Sequence, residues 1–174
     1  MRVWLRLDEF EASLCRVWSR RGRRRWVQQP FAIVSRLGDG LFWYCLIGLL
    51  PLLYGEPGLQ AGLHMLATGG IALALYKAIK LLTRRERPCS YASDIVALVP
   101  PLDRYSFPSG HTLHAVSFST VAIYHFPQLA WVLMPFTALV AGSRVILGLH
   151  YPSDVLVAMV LGLALSAWSI SLLA

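Results

Sequence analysis

Val3, Leu7, Phe10, Leu14 and Val17 recur at spacings of four and three, the apolar face of one helix. Arg2, Arg6, Glu9, Ser13, Arg16 and Arg20 occupy its other faces, and Trp4 and Trp18 suit an interfacial depth. The pattern predicts an amphipathic helix lying on a membrane surface. The run from Arg20 to Arg25 then reads as a basic linker facing lipid headgroups. Five hydrophobic stretches follow. Residues 37–54 are apolar apart from Asp39, and residues 61–82 carry Lys77 and Lys80 near their end. Residues 112–126 form a shorter stretch. Residues 129–149 hold Arg144 as their one charge, and residues 153–174 hold Asp154. A membrane-spanning helix needs about 20 mostly apolar residues. Turns are marked by Tyr54-Gly55-Glu56-Pro57-Gly58 and by Pro127. The predicted fold is therefore all-α: a bundle of about five transmembrane helices with an N-terminal interfacial helix. The expected division is a basic amphipathic segment, 1–30, and a transmembrane domain, 31–174.

Composition agrees. Hydrophobic residues make up 56% of the chain and charged residues 14%, against roughly a quarter charged in a soluble domain. The net charge of +7 is one-sided. Nine of the sixteen Lys and Arg lie within residues 1–36, five between Lys77 and Arg87, and the last two are Arg104 and Arg144. With five spans, the N-terminal tail, the segment 83–111 and the turn near 144–152 share one face, which carries all of them. The turns near 55–60 and 127–128 carry none. The positive-inside rule predicts a multi-pass protein of the cell (inner) membrane with its basic face in the cytoplasm and its C-terminus outside. Such charge suits anionic headgroups as partners and not nucleic acid. Charges interrupt residues 1–18, so no secretory signal is expected there. Cys15, Cys45 and Cys89 show no metal-ligand spacing and read as inert thiols.

Charge inside a span is costly, about 2.5–3.5 kcal/mol per residue at a helix centre on insertion scales. Lys80, Arg144 and Asp154 all sit near span ends on the basic face, which predicts a polar pocket opening at one membrane surface. Three blocks supply it. In the first, Lys80 and Arg87 are seven apart, which places them on one helical face if the helix continues, and Pro88 turns the chain out. The second is Pro108-Ser109-Gly110-His111, where a hydroxyl, a bare backbone and a helix start can all donate to an anion. The third runs from Ser143-Arg144 through His150 to Asp154.

Together these blocks resemble the signature of the type 2 phosphatidic acid phosphatase family: K-x6-R-P, P-S-G-H and S-R-x5-H-x3-D, in that order. The likeness covers about residues 61–165. Many relatives have six spans, where this chain has five and an amphipathic helix. The resemblance implies a metal-independent, cofactor-free lipid phosphatase. His150 would attack phosphorus, Asp154 would bond its other ring nitrogen, and His111 would protonate the leaving oxygen. Lys80, Arg87, Arg144, Ser109 and Gly110 would cradle the phosphoryl group. Phosphatidic acid, phosphatidylglycerol phosphate and polyprenyl (undecaprenyl) diphosphate are the substrates it implies. A catalytically silent lipid binder or transporter is the alternative of another class. A vanadium haloperoxidase shares the phosphate pocket but is larger and soluble. Outside the motifs, His64, His114 and His125 read as structural, a place at the pocket border being the lesser reading for His114, one turn from His111; Arg84, Arg85 and Arg104 read as headgroup contacts, and Asp94 and Asp103 as solvated.

Overall fold

A computed structural model describes residues 2–173, with side chains described from Glu9 onward. The outward faces assigned to Arg2, Val3, Trp4, Arg6 and Leu7 lie outside the described side chains. All regular structure among the described residues is helical. The elements are α1 (Arg2–Gly22), α2 (Arg25–Arg36), a wide π-type turn (Leu37–Leu41), α3 (Phe42–Tyr54), α4 (Glu56–Thr83), a single turn α5 (Pro88–Tyr91), α6 (Gly110–His125), α7 (Ala130–Ile146) and α8 (Pro152–Ser171).

Among the described residues, four helices are long and apolar enough to cross a membrane: Arg25–Tyr54, Glu56–Tyr91, Pro127–Ile146 and Pro152–Ser171. The short fifth stretch is α6, 16 residues long, or about 24 Å at 1.5 Å per residue. It packs against α4, α7 and α8, and Tyr124 is its one exposed residue. A helix walled in by other helices tolerates Ser117, Ser119 and three histidines, which is why its hydropathy is low. Large apolar side chains such as Leu52, Leu63, Trp131, Met134 and Val160 point outward from the other helices, as lipid-facing residues must.

The first membrane helix starts at Arg25, well before residue 37, and is kinked where α2 meets α3. Gly40 sits at φ 139° there, a conformation only glycine adopts without strain. A π-type break of this kind commonly marks a functional position, and here it aims Asp39 inward.

Helix α1 runs across the turn that joins α7 to α8. It buries Glu11, Ala12, Cys15 and Ser19 against the bundle and leaves Phe10, Val17 and Trp18 exposed. Its apolar side is thus free to meet lipid, and its small and polar side meets protein. The segment 92–109 packs beneath α1 and the start of α2: Arg16 of α1 pairs with Asp94 at 2.8 Å, and Gln28 of α2 donates to the Leu98 carbonyl at 3.2 Å. The N-terminal segment, the segment 83–111 and the α7–α8 turn therefore lie together at one end, as the charge pattern implied. At the other end Tyr54 stacks on Phe126, and His64 bridges His125 and Ser169.

The α3–α4 hairpin is closed by Gly58, where a Cβ would fall 2.1 Å from the Leu50 carbonyl oxygen. Gly58→Ala should cost about 1–3 kcal/mol through overpacking against backbone, read as a lower thermal unfolding temperature in detergent. Gly48→Ala, where nothing lies within 4 Å of the new methyl, should leave that temperature unchanged or raise it.

Candidate active site

Helix α4 stops at Thr83 because Arg84 takes a left-handed conformation, φ 48°, and its N–H closes on the Lys80 carbonyl at 2.9 Å. The expectation that Lys80 and Arg87 share one helical face is corrected by this early stop. Arg87 is extended, φ −76° and ψ 154°, as a residue before proline prefers. The two cations meet instead around a carboxylate. Lys80 Nζ donates to both oxygens of Asp103 at 2.8 and 2.7 Å, and Arg87 Nη2 donates to Oδ1 at 2.8 Å. Asp103 is not simply solvated. Burial works against its ion, but the Lys80 ammonium and the Arg87 guanidinium outweigh it and hold Asp103 below the usual carboxylate range.

The α7–α8 turn delivers the next pair. Arg144, in the last turn of α7, donates from Nη1 to Ser35 Oγ. Its backbone carbonyl accepts the N–H groups of Leu149 and His150, both at 3.0 Å. Gly148 makes the tight reversal at φ 73°, against the Val96 carbonyl. Arg87 locks the turn with Nη1, which donates to the Leu149 carbonyl at 2.7 Å and faces His150 Nε2 at 3.2 Å.

The His150 tautomer follows from its neighbours. Arginine has no acceptor, so Nε2 beside Arg87 carries the lone pair and Nδ1 carries the hydrogen. Nδ1 lies 3.4 Å from Asp154 Oδ2, too poorly aligned for a hydrogen bond here, as catalytic pairs often are before substrate arrives. Asp154 Oδ2 also accepts from the Tyr151 N–H at 2.9 Å. Burial, followed by the nearby Arg87 and Arg144 charges, drives the His150 imidazole well below its ordinary pKa. It is neutral at physiological pH with its free nitrogen toward the cations.

Lys80, Arg87, Gly110, His111, Arg144 and His150 line a single pocket of about 470 Å³. Asp154 stands behind His150, fully buried. Ser109 is not on the wall: its hydroxyl is engaged with Thr112 Oγ1 at 3.0 Å, and its N–H donates to the Asp154 carbonyl at 3.1 Å. Lys77 and His114 line the pocket as well, and His114 bonds the carbonyls of Gly110 and Gly69. Away from the charges, the wall is made by Tyr44, Leu66 and Leu73.

Four polar residues at or behind this pocket escaped the sequence reading. Asp39 is hydrogen-bonded to His111 Nε2, and its signal was a lone charge between two glycines in an apolar stretch. Asp103 carried no signal. Arg85 is no headgroup contact, since its guanidinium bonds Asp154 and Glu11. Glu11 gave no hint, because its partners lie 74 and 142 positions away.

The comparisons with known proteins agree with one another. Residues 61–174 match the sequence profile of the PAP2 superfamily. Undecaprenyl-diphosphatase BcrC of Bacillus subtilis is 35% identical over 123 residues, covering 69% of this chain and 62% of its own length. Phosphatidylglycerophosphatase B of the same organism is 30% identical over 155 residues, covering 82% of this chain and 73% of its own. The crystal structure of a transmembrane PAP2-type phosphatidylglycerolphosphate phosphatase from B. subtilis superposes with a TM-score of 0.78 at 27% identity, over 99% of this chain and 87% of that one.

Asp103 occupies two of the cations that an entering oxyanion would need. Asp103→Asn should therefore tighten the binding of orthovanadate, a tetrahedral oxyanion, about three- to tenfold by calorimetry. Weaker binding in the variant would mean that the carboxylate completes the cradle.

Proposed function

The chain belongs to the PAP2 superfamily, and from that premise we infer that it is a membrane phosphatase that removes phosphate from a lipid. The observation that carries this reading is the convergence of three buried cations, Lys80, Arg87 and Arg144, with a neutral imidazole in a pocket that also has an apolar stretch of wall at Leu66 and Leu73. Cleavage of a phosphate ester spreads charge over the phosphoryl oxygens, and preorganised cations stabilise it. Arg87 and Arg144 offer planar forks and Lys80 a point charge, with the Gly110 amide at the start of α6 beside them. The role of Ser109 is indirect: it braces the start of α6 against Asp154.

The chemistry follows from the tautomer. The lone pair on His150 Nε2 attacks phosphorus and forms an N–P bond as the P–O bond to the lipid breaks. His111, held by Asp39, gives the departing oxygen its proton. The positive charge that develops on the His150 ring is met by Asp154 at Nδ1. His111 then takes a proton from water, the resulting hydroxide attacks phosphorus, the N–P bond breaks and inorganic phosphate leaves. Every charge these steps use is a side chain of this protein.

A phosphate monoester such as phosphatidic acid or phosphatidylglycerol phosphate is the first substrate reading. Polyprenyl diphosphate is the second, favoured by Lys77, a further cation on the pocket wall that can meet a second phosphate. The one-sided distribution of Lys and Arg supports a cytoplasmic position for the pocket.

Two experiments test these statements. Purified protein should release phosphate from one of the three lipids in the presence of EDTA, and His150→Ala should lower the rate at least ~10³-fold. Activity that survives the substitution removes the nucleophile assignment. A C-terminal alkaline phosphatase fusion should be active in the periplasm of a bacterial host, whereas a fluorescent C-terminal GFP fusion would invert the topology.

A further inference from the structure

Behind His150, on the side away from the pocket, lies a second layer of charge that no motif position except Asp154 belongs to. Asp154 Oδ1 accepts from Arg85 Nη1 at 2.7 Å, and Arg85 Nη2 donates to Glu11 Oε2 at 2.6 Å. Glu11 in turn accepts from the Ser153 N–H through Oε1 and from the Ser153 hydroxyl through Oε2, both at 2.7 Å. The side chains of Glu11, Arg85 and Asp154 are 6, 13 and 0% exposed. Arg85 also lies over the Tyr151 ring, 4.1 Å from its centroid. A buried carboxylate brought from α1 to the first turn of α8 therefore closes a chain that ends at the nucleophile.

We propose that Glu11 and Arg85 are positioning residues for the reaction, acting through Asp154 to set the orientation and charge environment of His150. The inference rests on the phosphatase reading above and extends it to the N-terminal helix.

The charge balance explains why both residues are needed. Asp154 must place negative charge behind an imidazole that becomes cationic when it binds phosphorus. Arg85 fixes the Asp154 carboxylate in place but, alone, would cancel that charge. Glu11 offsets Arg85, so two carboxylates and one guanidinium leave one net negative charge facing Nδ1. A guanidinium suits the link because its two terminal nitrogens can serve two carboxylates at once, which an ammonium serves less well. The Glu11 carboxylate also meets the α8 N-terminus, where a negative charge is favoured. The Cys15 thiol, buried beside this layer with its Sγ 3.8 Å from the His150 carbonyl, senses the same field. Burial first, and then the Glu11 and Asp154 carboxylates, push its pKa up to about 12.

The charged and titratable groups facing His150 from other elements are Lys80 on α4, Arg87, His111 on α6 and Arg144 on α7. All of these disfavour the imidazolium. Loss of the Glu11 charge adds to their effect, so the imidazole should protonate only at lower pH.

The test uses the full-length protein in micelles containing phosphatidic acid, with phosphate release measured across pH and thermal unfolding measured in parallel. Glu11→Gln keeps the shape and an acceptor for Ser153 but removes the charge. It should lower kcat about tenfold with KM within about twofold, and move the acid limb of kcat/KM down by about half a pH unit. Glu11→Asp should recover part of the activity lost in Glu11→Ala. An unchanged kcat and an unmoved acid limb in Glu11→Gln overturn the proposal. So does a lower unfolding temperature with the acid limb in place, which would make Glu11 a structural cap alone. If His150→Ala is dead while Glu11→Gln behaves as wild type, the positioning role fails and the phosphatase reading stands. If wild type releases no phosphate, or His150→Ala matches it, the phosphatase reading fails and takes this inference with it.

Discussion

Three cations held out of water around one imidazole are the constraint from which the rest of this structure follows. Lys80, Arg87 and Arg144 are 5, 2 and 2% exposed. Two unit charges 4 Å apart interact by about 4 kcal/mol at an effective dielectric of 20, so a cluster like this cannot stand without counter-charge. In this structure the counter-charge comes from Asp103 on Lys80 and Arg87, with Asp39 lying on the His111 side of the same pocket. A phosphate dianion is the ligand that such a cluster is suited to exchange for. Burial first, and then these same cations, keep His150 neutral and its lone pair available, so the cluster that grips the substrate also helps to set the state of the nucleophile.

The backbone is arranged to sustain that cluster. Arg87 ties the His150 turn by its Leu149 carbonyl, Arg144 ties it by its own carbonyl, and Ser109 ties the start of α6 to Asp154. Segments far apart in sequence are thus joined by hydrogen bonds to main chain, which fixes positions more firmly than contacts between flexible side-chain ends. Behind them the Glu11–Arg85–Asp154 layer has the opposite sign, so His150 sits at the boundary between a positive front and a negative back.

Much of this was legible in the sequence. Span positions follow from hydropathy, except that the first helix starts twelve residues before its apolar stretch, at Arg25, and the motif residues Lys80, Arg87, Gly110, His111, Arg144 and His150 meet in one pocket because their order and spacing place them at one end of the bundle. What escaped was set by contacts between distant segments or by local backbone. The left-handed Arg84 ends α4 four residues early, and no spacing rule signals it. Arg85 reads as one more basic residue in a basic run until α8 and α1 arrive around it. The amphipathic pattern of α1 correctly marks the side that stays outside, but says nothing of Glu11, because a buried glutamate looks like any other charge on a polar face. Burial in a crowded centre also explains why α6 reads as the shortest of the five stretches: its hydropathy is modest because it meets protein and not lipid.

That central placement has a mechanical meaning. Helices that touch lipid must tilt or shift when hydrocarbon thickness changes, at a cost of fractions of a kcal/mol per Å of mismatch. Helix α6 is enclosed by its neighbours, with one exposed residue near its far end, and its start carries Gly110 and His111. The outer helices can absorb a thinner or thicker bilayer while the start of α6, with Gly110 and His111, keeps its place in the pocket.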